Sequence, residues 1–264
     1  MTDLLQSFEE AANRSSAMLD LAGDDPDAQQ VRARVEMGRE LAEAVREPCR
    51  RLLGPEFDGL ADAETPRLKA AATGLGRLAA ELDALLGDFG DWEQAVSEDC
   101  RRLDRRRVDL GVRTQELEQH LRQTREQLDA IEARLEAARR RQQNEPWPID
   151  SIDALVSSLI DLLQGVQRQQ SQLEREMGDG VRQEHLLRAQ DGAIRLIVGA
   201  GGGLLSAQHS LLLGLDDAKG QLDEAVLTAG EAERFRILAK AAAEVLDRLR
   251  SCAARVAGAA RPAA

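Results

Sequence analysis

The sequence predicts an all-α fold, an elongated antiparallel three-helix bundle or coiled coil with a small N-terminal helical bundle. Three observations predict it. Aromatic residues make up 2 % of the 264 residues and tyrosine is absent, whereas compact α/β folds and β-sandwiches use more aromatic and β-branched bulk. The strong helix formers Leu, Ala, Glu, Gln and Arg are abundant. Apolar residues recur at helical spacing over long stretches without proline.

Residues 1–90 are predicted to form an acidic bundle of three short helices. The first apolar stripe stops at the Gly-Asp-Asp-Pro turn of residues 23–26. The second ends or kinks at Pro48, because proline removes a helical hydrogen bond and clashes with the preceding turn. The third begins at Thr65, a capping residue followed by proline at the first helical position, and ends near residues 87–90.

Residues 91–258 are predicted to form a long three-helix rod. The first helix of the rod carries an a/d heptad seam, and Glu, Gln and Arg lie outside the seam. Its members are Leu103, Leu110, Thr114, Leu117, Leu121, Thr124, Leu128, Ile131, Leu135 and Ala138. The prolines at 146 and 148 predict a first turn near 145–149, since two prolines around one residue interrupt helical hydrogen bonding.

The glycine run at 199–203 is predicted to be the second turn of the rod. The three segments 92–144, 150–198 and 204–257 then have nearly equal lengths, as an up-down-up bundle requires. The last residues, 259–264, are predicted to form a flexible tail.

The charge of the chain is concentrated near its N-terminus. Residues 1–99 carry 22 acidic and 10 basic side chains, which accounts for the whole net charge of −12. Such a chain has no general attraction for nucleic acid, so no nucleic-acid partner is expected. The three cysteines lie far apart, and the N-terminus lacks the basic and apolar regions of a secretory signal. These features predict a cytoplasmic location.

Enzymatic signatures are absent from the sequence. His120, His185 and His209 stand apart from one another, without metal-ligand spacing. The glycine run is not followed by the Lys-Ser or Lys-Thr of a phosphate-binding loop, and no G-x-S-x-G nucleophile motif occurs. We therefore predict a non-enzymatic protein with no catalytic residues, no cofactor and no metal.

The twenty residues from Leu196 to Leu215 carry no formally charged side chain. Two interpretations differ in function. In the favoured one, the segment is a glycine turn between buried helix ends. In the other, an apolar hairpin at 194–215 is covered in the soluble fold and later becomes exposed to a membrane or a partner. The candidate interaction residues of this segment are Gly199, Gly203, Leu204 and Leu205.

Two further features are candidate interaction sites. Trp147 lies between two prolines, where it either closes the end of its own hairpin or docks a partner. A basic run on the predicted rod either pairs with nearby carboxylates or contacts an acidic partner. Its members are Arg101, Arg102, Arg105, Arg106 and Arg107.

The predicted function is a scaffold or adaptor that acts through helix–helix contacts with protein partners or with further copies of itself. The less favoured alternative is a membrane-active α-helical protein, pore-forming or membrane-remodelling, that uses the apolar segment. Elongated α-helical toxins with an apolar hairpin are similar in layout, an analogy of architecture that no sequence motif accompanies.

Overall fold

The computed structural model describes residues 3–20, 25–144 and 149–258, without the side chains of residues 142–144 and 149–152. Within these ranges the chain contains five α-helices and two short 3-10 helices and no strand, so the prediction of an all-α helical bundle is confirmed. The α-helices are α1 (Leu4–Asp20), α2 (Pro26–Leu52), α3 (Thr65–Asn144), α4 (Ile149–Leu227) and α5 (Ala232–Ala257), and the 3-10 helices are Pro55–Phe57 and Leu60–Asp62.

The chain divides into two compact units. The bundle unit comprises Met1–Arg102 and Ala189–Ala264, and the hairpin unit comprises Leu103–Arg188. The long helices α3 and α4 each contribute residues to both units. This division differs from the expected one at residues 90 and 91, because the C-terminal part of α4 and all of α5 group with the N-terminal residues.

The predicted turn at 199–203 was wrong, because this glycine run lies inside α4. The chain ends α4 at Leu227 and begins α5 at Ala232 instead. A glycine run forms a turn when the backbone adopts left-handed angles, and among the described residues only Gly59 and Gly258 have positive φ. Packing against other helices holds the run in helical form, as shown below.

Two other predicted breaks are also helical. α3 continues through residues 87–90, and α2 continues through Pro48 as far as Leu52. Phe89 and Trp92 are buried on α3 just there, so tertiary packing outweighs the cost of about 1 kcal/mol that each internal glycine imposes. The predicted turn near 145–149 falls mostly on residues 145–148, which lie outside the described residues, as does the predicted tail at 259–264.

The hairpin unit confirms the heptad seam. Leu117, Leu121, Leu128 and Ile131 are all buried on α3. Ile131, Leu135, Ala138 and Leu159 form one apolar cluster, against which further α4 side chains pack: Val156, Ile160, Leu163 and Val166. Ion pairs between Arg113 and Glu176 (4.0 Å) and between Arg125 and Glu174 (3.7 Å) lie beside the seam. Later residues of α3 therefore meet earlier residues of α4, as in an antiparallel hairpin.

The bundle unit joins its helices by polar contacts as well as by apolar packing. The Ser15 hydroxyl of α1 donates to the Ala193 carbonyl of α4 at 2.8 Å, and the Gln190 amide of α4 donates to Asp25 at 3.0 Å. Arg250 of α5 is buried and forms an ion pair with Asp58. These contacts connect α4 and α5 to parts of the chain more than 150 residues earlier.

Candidate functional site

The uncharged segment Leu196–Leu215 is one continuous stretch of helix in the bundle unit. Every third or fourth residue is buried, and these are Ile197, Gly201, Leu204, Gln208, Leu211 and Leu215. The opposite face consists mainly of small or polar exposed residues: Gly199, Gly202, Ser206, His209 and Ser210. Leu213, with 59 % of its surface exposed, is the large apolar residue on that face. Much of the apolar character of the segment is thus used in the core.

Trp92 of α3 covers the middle of this segment. Its side chain is 1 % exposed. A Cβ atom placed on Gly201 of α4 would lie 2.7 Å from Trp92 Cζ3, and one placed on Gly38 of α2 would lie 2.9 Å from Trp92 Cζ2. The indole ring therefore fits between two helix surfaces that only glycine leaves open.

Neighbouring aromatic rings and one hydrogen bond fix the position of this ring. Phe8 and Phe89 contact Trp92 edge to face, with ring centroids 6.0 Å and 5.8 Å away, a favoured geometry for aromatic pairs. Trp92 Nε1 donates to the Arg34 carbonyl at 2.8 Å. Trp92 is therefore the central side chain that joins α1, α2, α3 and α4.

Adjacent glycines in the run should respond in opposite ways to alanine. Gly201→Ala should lower the free energy of unfolding by about 1–3 kcal/mol, because the ring it meets is also packed against Gly38, Phe8 and Phe89. Gly202→Ala should raise it by up to about 1 kcal/mol, since a Cβ there meets no atom within 4 Å and alanine favours the helix. Urea unfolding followed by circular dichroism measures both, and equal effects would contradict the packing described.

The predicted interaction residues of the segment have different environments. Gly199 is exposed and a Cβ on it would meet no atom within 4 Å, whereas Leu204 is buried and Leu205 half-buried. Gly203 lines a cleft of about 340 Å³ with residues of α1, α4 and α5, including Leu4. The sequence did not single out Gly201 or pair it with Trp92, because the two lie more than 100 residues apart and no local pattern connects them.

The basic run does not form one site. Arg102 is held in the bundle unit by ion pairs with Asp99 at 3.2 Å and Asp27 at 3.5 Å. Asp99 is buried and also accepts hydrogen bonds from Gln30 and Arg34, so Arg102 belongs to a structural network. The other four, Arg101, Arg105, Arg106 and Arg107, are exposed on α3. Trp147 lies outside the described residues.

The start of α4 carries apolar side chains that the described residues leave half exposed. Leu155 and Leu162 are each 50 % exposed. They are seven residues apart, so they lie on the same side of the helix. Leu159 and Leu163, between and after them, pack in or against the apolar cluster shared with α3. The α4 stripe is therefore wider than its single partner helix covers.

Composition and length single out the same helix. Among the described helices, the stretch Asp153–Leu227 of α4 is long and apolar enough to cross a membrane. The apolar stretch that meets this criterion includes the uncharged segment Leu196–Leu215, not the start of α4, and a core helix of a soluble protein meets it too.

The described residues offer little for catalysis or metal binding. No group of three or more His, Cys, Asp or Glu side chains among them could hold a metal ion. Burial, assisted by nearby Cys252, raises the pKa of the Cys49 thiol to about 12, so this thiol is protonated at neutral pH. The absence of catalytic, cofactor and metal sites stays a prediction.

The fold is that of known pore-forming toxin components. The chain is similar to a soluble triple head mutant of AhlC, from the tripartite α-pore-forming toxin AHL of Aeromonas hydrophila, with 16 % identity, a TM-score of 0.77 and coverage of 96 % of this chain and 98 % of that one. It is also similar to the SmhB pore of the tripartite α-pore-forming toxin Smh of Serratia marcescens, with 11 % identity, a TM-score of 0.70 and coverage of 97 % and 99 %.

XaxA of Xenorhabdus nematophila has the same fold, with 9 % identity, a TM-score of 0.67 and coverage of 97 % of this chain and 94 % of that one. No family model matches the sequence, and no curated protein matches it. The resemblance therefore lies in the three-dimensional fold, over almost the whole length of each chain.

Two predictions from the sequence are contradicted by these comparisons. The prediction of a scaffold or adaptor was wrong, because proteins with this fold include a pore, a pre-pore and further components of α-pore-forming toxins. The prediction of a cytoplasmic location was wrong for the same reason, since a pore acts within a membrane. The membrane-active alternative agrees better with the fold, although its predicted apolar hairpin at 194–215 is a continuous part of helix α4 and not a hairpin.

Proposed function

We propose that this chain is a membrane-active, non-enzymatic component of an α-helical pore-forming assembly. The observation that carries the proposal is the match of the entire fold to AhlC and SmhB, at TM-scores of 0.77 and 0.70 and with at least 96 % of each chain covered. Because the match extends over both units and not over one common helical motif, it supports a shared mode of action.

The start of α4 is our candidate for the first contact with lipid. Leu155 and Leu162 already lie at the surface, so they can enter a bilayer without prior unfolding of the bundle unit. The segment Leu196–Leu215 is a weaker candidate, because Trp92 and the rest of the bundle core cover its buried face. Membrane contact through exposed leucines depends on apolar burial and requires no anionic lipid.

We infer that the chain works with further protein chains. AhlC and SmhB are each named as part of a tripartite toxin, and AhlB, of the same toxin as AhlC, has been seen as a pore and as a pre-pore. Self-association of this chain, or association with other chains of the same fold, follows from that analogy. No nucleic acid takes part, in keeping with the acidic N-terminal region.

Vesicle binding and dye release test the proposal. The purified chain should float with neutral phosphatidylcholine vesicles and remain bound when the ionic strength is raised, because apolar insertion is not screened by salt. It should also release a dye trapped in those vesicles. A protein that floats with neither neutral nor anionic vesicles under any of these conditions would contradict the proposed function.

A further inference from the structure

Gln208 is a polar side chain in the middle of the most apolar part of the chain. It lies on the buried stripe of α4, one helical turn after Leu204 and just before Leu211, and it is 1 % exposed. Both its amide nitrogen and its amide oxygen are buried, and neither forms a hydrogen bond with a protein group among the described residues. The apolar core of the bundle unit thus contains an amide that none of the described residues pairs.

Such a group makes the folded state less stable than an apolar side chain of the same shape would. Water hydrogen-bonds an amide on both sides in the unfolded chain, and burial without a partner forfeits those bonds. Buried polar groups without partners are rare in folded proteins, so each one calls for an explanation. At position 208, a leucine like Leu204, Leu211 and Leu215 would continue the stripe without this penalty.

A second glutamine on the same stripe gives an internal comparison. Gln190 lies 18 residues earlier, which is five helical turns and therefore the same side of α4. It is as buried as Gln208, and its amide nitrogen donates to Asp25 at 3.0 Å, while its amide oxygen has no partner among the described residues. Within the described residues, Gln190 therefore pairs one end of its amide, whereas Gln208 pairs neither end.

We propose that Gln208 keeps the bundle unit metastable and so favours its opening when the chain converts to the membrane-bound form. When α4 separates from the core, the Gln208 amide can hydrogen-bond with water or other polar groups. Opening therefore regains the hydrogen bonds that burial removes. Gln208 thus biases the equilibrium between closed and open bundle toward the open state. The stability part of the inference stands on the bundle alone, and the conversion part rests on the proposed function.

Gln208→Leu and Gln208→Met test the stability part. Both side chains have nearly the volume of glutamine, and methionine adapts to the cavity if leucine strains it. Each variant should raise the melting temperature by about 3–6 °C. Hydrogen exchange of the backbone amides of residues 196–215 should slow by about tenfold. Gln183→Leu, at an exposed position of α4, should leave the melting temperature unchanged.

Dye release by the same variants tests the conversion part. We expect the stabilised variants to release dye from vesicles more slowly than the unmodified chain at equal amounts of protein. An unchanged or lower melting temperature in both variants would overturn the inference, because the amide would then be satisfied in the folded bundle. A raised melting temperature with undiminished dye release would overturn the link to conversion.

The failure of this inference is distinguishable from failure of the proposed function. If the unmodified chain releases dye and the Gln208 variants are no more stable, the inference alone is wrong. If the variants are more stable and neither they nor the unmodified chain bind vesicles, the proposed function is wrong, and so is the role assigned to Gln208 in conversion.

Discussion

Replacing Trp92 by alanine should destabilise the bundle unit by about 3–5 kcal/mol. The indole ring is 1 % exposed and lies against Gly38 of α2 and Gly201 of α4, so its removal leaves a cavity that the neighbouring glycines cannot fill. The hydrogen bond from Nε1 to the Arg34 carbonyl is also lost. Urea unfolding followed by circular dichroism gives the free energy, and limited proteolysis locates the opening in the bundle unit.

Trp92→Phe is the matched control for this prediction. Phenylalanine keeps an aromatic ring for the edge-to-face contacts with Phe8 and Phe89, but it lacks the indole nitrogen and leaves a smaller cavity. Its destabilisation should therefore be less than half that of alanine. If both substitutions leave the stability of the bundle unchanged, Trp92 does not join the helices as described.

The hairpin unit was predictable from sequence because its packing repeats locally. A heptad seam depends on residues three and four positions apart on one helix. Such spacing can be recognised in the sequence without knowledge of the fold. Leu117, Leu121 and Leu128 are buried where the seam predicts them. The seam does not reveal how many helices meet it, and that number decides which side chains remain exposed.

The bundle unit was less predictable because its packing is between distant residues. Glycine has a low helix propensity, so the local sequence at 199–203 predicts a turn. What keeps Gly201 helical is the ring of Trp92, which requires a helix surface without a side chain at that point. Propensity is a weak prior, and the tertiary contact decides the outcome.

The exposure of the α4 leucines was not predicted because the turn was placed at 199–203. A three-helix rod built with residues 204–257 as its third member would cover a wide apolar stripe on the returning helix. Since α5 belongs to the bundle unit, α3 is the one helix that covers α4 among the described residues of the hairpin unit. Leu155 and Leu162 therefore remain half exposed. The position of one turn thus determines whether these residues are core or candidate membrane contacts.

Replacing Leu155 and Leu162 together by aspartate should abolish dye release from neutral vesicles. Leucine favours the bilayer interior by a few tenths of a kcal/mol, whereas aspartate opposes insertion by about 3 kcal/mol per residue at the membrane centre. Two substitutions thus disfavour insertion by about 6 kcal/mol, more than a 10⁴-fold change in the partition between water and membrane. The thermal midpoint should change little, since both positions are half exposed in the soluble form.

The control places the same two charges on the opposite side of the same helix. Gln164 follows Leu155 by nine residues, which is about 180° around α4, and Ser171 follows Gln164 by seven; both are exposed. The variant Gln164→Asp/Ser171→Asp changes the net charge by the same amount with the same spacing, so an effect of charge alone would appear in both proteins. We expect the control to release dye as the unmodified chain does, while the leucine variant stays in solution. Equal loss in both variants would assign the effect to net charge, and equal retention would show that α4 does not enter the bilayer through its exposed leucines.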